Sequence, residues 1–158
     1  MQVEPAQKRK GIYKFVSRDD LTFKNTPIKR NFENEWLLLS ENGDIVVKGS
    51  NKQGYAWDGC TPKINIFDLW LVGTPDGRVI VNTEKPITYY ASLIHDILCQ
   101  FYEDIGISRK QADKVFLIYL GDFNLKYLYY FAVRSYGLYL SVKSKLVSML
   151  TSQSTRTQ

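Results

Sequence analysis

Thr88 to Leu120, TYYASLIHDILCQFYEDIGISRKQADKVFLIYL, is the stretch that decides the fold, and it holds the chain's only histidine. Ile94, Ile97, Leu98 and Phe101 recur at helical spacing, which makes one apolar stripe, with Thr88 placed as the N-cap. Gly106 stands where a helix ends in a left-handed residue. Ser108 and Gln111 then form an S-x-x-Q capping box that opens a second helix, whose core face is Ala112, Phe116 and Leu120. Two helices joined by so short a turn pack antiparallel, middle against middle.

Asp113 falls on or beside the apolar face of that second helix, next to Phe116, Leu117 and Leu120. A buried carboxylate without a partner costs several kcal/mol, and His95 on the neighbouring helix is the economical partner. Asp113 then accepts from one imidazole nitrogen and leaves the other to act on water or a substrate. Asp96 points about 100° around the helix from His95 and is left for another task.

Working outward, the 158 residues are 44% hydrophobic and 23% charged, the profile of one globular domain. We place that domain at residues 1–150, with a flexible first ten residues and a polar tail at 151–158. The net charge of +5 is spread along the chain, without the basic stripe or groove-reading motif that would point to a specific nucleic acid. Cys60 and Cys99 are the only cysteines, too few for a disulfide framework, and both read as small buried hydrophobes. Neither a signal-peptide core nor a run of membrane-spanning length is present in the sequence.

Ile12 to Val16 reads as a strand, and Asp19, Asp20, Asn25 and Pro27 as loops. Trp36–Leu39 and Ile45–Val47 flank Asn42-Gly43, whose two residues suit the positive φ values of a tight hairpin. A second hairpin is expected between Leu69–Val72 and Val79–Val81, across Thr74–Gly77. Tyr55 to Pro62 reads as a short strand running into an ordered loop. Asp122 caps a third helical stretch from Phe123, bent or broken at Gly137, and continuing as the amphipathic segment Leu138 to Leu150 with Lys143 and Lys145 opposite its apolar side. The predicted class is α+β: a small antiparallel sheet of two hairpins packed with an antiparallel helix pair and a long C-terminal helix.

The motifs GYAWDGCTP, ASLIHD and SRKQADKVF together resemble a family of small proteins encoded by tailed bacteriophages and prophages. That resemblance covers Tyr55 to Leu120 and implies a location in the virion or the bacterial host cell. The order of loop, His-Asp helix and second helix with an aspartate is also similar to phospholipase A2. That second resemblance implies that His95 is the general base, Asp113 its orienting partner and Asp96 a calcium ligand, with carbonyl oxygens near Trp57, Gly59 and Cys60 completing the shell. It departs from the secreted enzymes in having Ala91 and Ser92 before His95, only Cys99 after it, and few glycines in the loop. The implied activity is calcium-dependent ester hydrolysis at a lipid or envelope surface. The other reading is a non-catalytic virion or tail component that docks on other phage structural proteins, with the His/Asp pair only holding the fold together and Asp96 locking the 55–62 loop through backbone hydrogen bonds.

Overall fold

The computed structural model describes residues 13–51, 54–60, 64–66, 70–72, 79–80 and 84–154, with side chains for 13–51, 54–60 and 84–149. Among the described residues, ten short strands precede three helices. They are β1 (Phe15–Ser17), β2 (Leu21–Phe23), β3 (Phe32–Glu33), β4 (Leu37–Leu39), β5 (Ile45–Val47), β6 (Tyr55–Trp57), β7 (Ile64–Ile66), β8 (Trp70–Val72), β9 (Val79–Ile80) and β10 (Lys85–Pro86), then α1 (Tyr89–Ile105), α2 (Arg109–Tyr119) and α3 (Lys126–Ser154). The α+β class holds. Among the described residues every pairing is antiparallel: a four-stranded sheet in the order β2-β5-β4-β3, and the pairs β1-β6, β7-β8 and β9-β10.

The first hairpin forms as the alternation requires, since Leu37, Leu39, Ile45 and Val47 all point into the core. Its turn differs from expectation. Of Asn42 and Gly43 only the glycine has positive φ, at 91°. Asn42 works through its side chain instead, taking the Asp44 backbone N–H at 3.0 Å and the Ser40 hydroxyl. Gly43 also lies against Thr26, which donates its backbone N–H to the Gly43 carbonyl at 2.8 Å. A Cβ at Gly43 would collide with the Thr26 carbonyl oxygen. Gly43→Ala is therefore expected to destabilise by about 1–2 kcal/mol or more from the left-handed backbone alone, read as a lower urea midpoint.

Two strand pairings correct the sequence reading. Trp70–Val72 pairs with Ile64–Ile66, and Val79–Ile80 with Lys85–Pro86, so the expected second hairpin is replaced by two others. The residues of its turn, 73–78, lie outside the described residues, as do Ile12, Thr61, Pro62 and the first ten residues. β2 and β3, which the loop-forming residues around them concealed, complete the main sheet: Phe23 sits opposite Ile45 and Phe32 opposite Leu39.

The helix pair matches its sequence signals closely. α1 ends on Gly106 at φ 73°, with the Gly106 and Ile107 N–H groups donating to the carbonyls of Glu103 and Tyr102. Thr88 precedes α1, but its side chain makes no capping bond. α2 opens with the full Ser108/Gln111 box. Ser108→Ala is expected to cost about 1 kcal/mol, measurable by thermal or urea unfolding.

One core cluster packs α1 residues Leu93, Ile94, Ile97 and Leu98 and α2 residues Ala112 and Val115 on the sheet side chains and Trp57. A second gathers Cys60, Ala91, Phe116, Leu120, Tyr129 and Val133, and joins α3 to the body. α3 starts at Lys126 rather than near Phe123 and passes unbroken through Gly137 to Ser154, into what reads as a polar tail. Gly137 is buried, and Arg109 explains it: a Cβ there would lie 2.9 Å from the Arg109 Nε. The glycine gives a side chain from α2 room to cross the helix. No helix among the described residues is long and apolar enough to cross a membrane.

Candidate functional site

The helix pair brings His95 and Asp113 together across the α1–α2 packing. His95 Nε2 lies 2.8 Å from Asp113 Oδ1, with Asp113 fully buried and the His95 side chain 13% exposed. Ala112, Val115 and Phe116 fix the orientation of α2, because burying each on the core leaves Asp113 facing α1. The Phe116 ring supports the imidazole at 4.9 Å between centroids.

Three side chains at the site escaped the sequence reading. Arg134 of α3 donates from Nη1 to Asp113 Oδ2 at 2.9 Å, so the buried carboxylate has a cation on each oxygen. Cys99, taken as a core hydrophobe, is half-buried with its Sγ 3.4 Å from His95 Nε2. Its spacing of four residues from His95 was the available signal, since such residues share a helix face. Arg134 had none, because nothing local says that α3 lies across α2. Arg109 is the third, and lines the cavity described below.

Electrostatics follow from these contacts. Burial works against a charged His95, but Cys99 and the Asp113 carboxylate outweigh it and hold the imidazole pKa up at about 9. Burial likewise opposes the Asp113 anion, yet His95 and Arg134 bring its pKa below the ordinary carboxylate value.

Asp96 faces another way, as its position on the helix requires. Its Oδ2 accepts from the Tyr55 hydroxyl at 2.8 Å, and the same hydroxyl reaches Gln100 Oε1 at 3.1 Å. Asp96 is thus tied to β6, at the head of the loop that the sequence pointed to. Burial raises its pKa, the Tyr55 hydrogen bond opposes that, and the nearby Asp58 adds to the rise. Trp57 is fully buried and donates from Nε1 to Ser92 Oγ at 3.1 Å, pinning β6 to the first turn of α1. Gly59 follows with φ 75°, and Cys60 is buried in the second core cluster.

Between α1, α2 and α3 lies a cavity of about 130 Å³. His95, Asp96, Cys99 and Arg109 contribute polar groups to its lining, and Phe116, Val133 and Tyr136 apolar surface. The ligating atoms of His95, Cys99 and Asp113 lie within 4.8 Å of one another, a group able to hold a metal ion. One nitrogen, one sulfur and one oxygen are donors of the kind zinc takes, whereas calcium takes oxygens. Searches of family models, curated proteins and solved structures find no match to the chain.

Proposed function

We propose that the chain is a phage-encoded acyl hydrolase working in the manner of phospholipase A2, with His95 as general base toward a water that attacks an ester carbonyl. The observation carrying this reading is the His95–Asp113 bond at the wall of the cavity, with the second ring nitrogen, Nδ1, making no hydrogen bond among the described residues. Asp113 fixes the ring and its tautomer, Arg134 fixes Asp113, and the apolar side chains of the lining take the acyl chain. Only neutral imidazole accepts the proton, so the rate is expected to climb as the pH rises toward 9.

Calcium is the cofactor of this reading, and Asp96 with carbonyl oxygens of Trp57, Gly59 and Cys60 would hold it. When bound it polarises the ester carbonyl. The fit lies in the donor type: Asp96 offers a half-buried carboxylate with Asp58 adding negative charge nearby, against which His95 and Arg109 act, and an oxygen donor of this kind is what calcium would take. The His95–Cys99–Asp113 group is a different place with a softer donor set. The test is fatty-acid release from anionic phospholipid vesicles and short-chain esters, with calcium or with chelator. Calcium-dependent release supports the proposal, and intact vesicles and esters in the presence of calcium would refute it.

A second reading, a virion component docking on other phage structural proteins, draws on α3. Beyond Gly137, Leu138, Tyr139, Val142, Leu146, Val147 and Met149 are each more than half exposed. Copurification with particles at fixed stoichiometry supports it, and detection in infected-cell lysate but never in virions counts against it.

A further inference from the structure

Arg109 is in an unusual state for a guanidinium. Its Nε is closed off from solvent and has no hydrogen-bond partner. Among the described residues it makes no hydrogen bond or ion pair; its guanidinium lies over the face of Tyr136, with Cζ 5.9 Å from the ring centroid, and its charge acts on Asp96 and Asp113 only from beyond contact distance. Desolvating a charged donor without a partner is costly, and most buried polar groups in folded proteins are satisfied. The fold nevertheless makes room for this side chain, since α3 carries a glycine at the one position where a Cβ would meet Arg109.

The carboxylates near it are engaged elsewhere. Asp113 is held by His95 and Arg134, and Asp96 by Tyr55. Arg109 lines a cavity of about 130 Å³ together with Phe116, Val133 and Tyr136. The space therefore offers guanidinium N–H donors, with the Nε unpartnered, together with apolar surface. A forked guanidinium matches the two oxygens of a carboxylate or phosphate group.

We propose that this cavity binds a small organic oxyanion, a carboxylate or phosphate ester on an apolar stem, with Arg109 gripping the charged head and Phe116, Val133 and Tyr136 covering the stem. The proposal uses the same cavity as the hydrolase reading but not the hydrolysis, so it stands or falls by binding alone.

The test is the thermal unfolding midpoint of the full chain titrated with sodium hexanoate, with inorganic phosphate, and with sodium chloride at matched ionic strength. A ligand that binds the folded state raises the midpoint in a saturable way. Hexanoate is expected to do so beyond the chloride control. In Arg109→Gln the apparent affinity is expected to fall about tenfold or more, the worth of a charge-assisted hydrogen bond. Gly137→Ala keeps every charge but pushes Arg109 aside, and is expected to weaken hexanoate as well. Arg109→Met is expected to leave the ligand-free midpoint unchanged or higher, because it removes a guanidinium that lacks a partner. Inactivity toward esters leaves these outcomes untouched. The proposal is overturned if hexanoate gives no saturable shift, if Arg109→Gln responds as the wild type does, or if inorganic phosphate alone binds.

Discussion

Asp113→Ala is expected to lower the unfolding free energy by about 3–5 kcal/mol, the range found when one partner of a buried ion pair is removed. The size follows from the arrangement. Asp113 is fully buried and is the counter-ion of both His95 and Arg134, so its loss leaves the Arg134 guanidinium uncompensated and the His95 imidazole without its partner at the α1–α2–α3 junction. Asp113→Asn keeps an acceptor of the same shape and should cost less. Adding Arg134→Met to Asp113→Ala removes one stranded charge and should recover part of the loss. Urea unfolding checks all three, with an unchanged slope showing that the native state is not otherwise disrupted.

The same pair ties stability to pH. His95 has a folded pKa of about 9, above the ordinary 6.5. Binding the proton is thus more favourable folded than unfolded. This contribution is complete below about pH 6.5 and is lost as the pH rises through 9, so the urea midpoint should fall across that window. Asp113→Asn should flatten the fall.

The second large effect concerns chemistry. His95→Gln is expected to reduce ester hydrolysis by about 10²–10⁴-fold, the contribution of a positioned general base. Glutamine keeps polarity and approximate size, so a matched unfolding midpoint separates lost chemistry from lost fold. Asp113→Asn should reduce kcat with little change in KM, because Asp113 touches the imidazole and not the substrate. Cys99→Ser tests the sulfur 3.4 Å from Nε2: activity should persist if Cys99 only helps to hold the proton on the ring.

What was legible in the sequence was what local rules determine. The Gly106 stop, the Ser108/Gln111 box and the 37–47 hairpin each rest on a few adjacent residues with a backbone preference, and all three form. The His95–Asp113 contact was legible because a three-residue turn leaves the helix pair one way to fold back. Longer-range relations were not. Trp70–Val72 could have paired on either side, and no residue in it distinguishes Ile64–Ile66 from Val79–Ile80. Arg134 and Arg109 enter the site only through the crossing of α3 over α2, and Gly137 looked like a break because its packing reason lies on another helix. Cys99 is legible only through His95 one turn earlier on the same helix face, not through its neighbours in sequence.

The most direct test of the His95–Asp113 pairing uses the fact that the chain has one histidine, so its ¹⁵N imidazole signals need no assignment. In a pH titration followed by NMR, the wild-type ring is expected to titrate near 9 and to fall back toward 6.5 in Asp113→Asn. A wild-type imidazole that titrates at 6.5 and takes no notice of Asp113→Asn would contradict the pairing on which site and fold both depend.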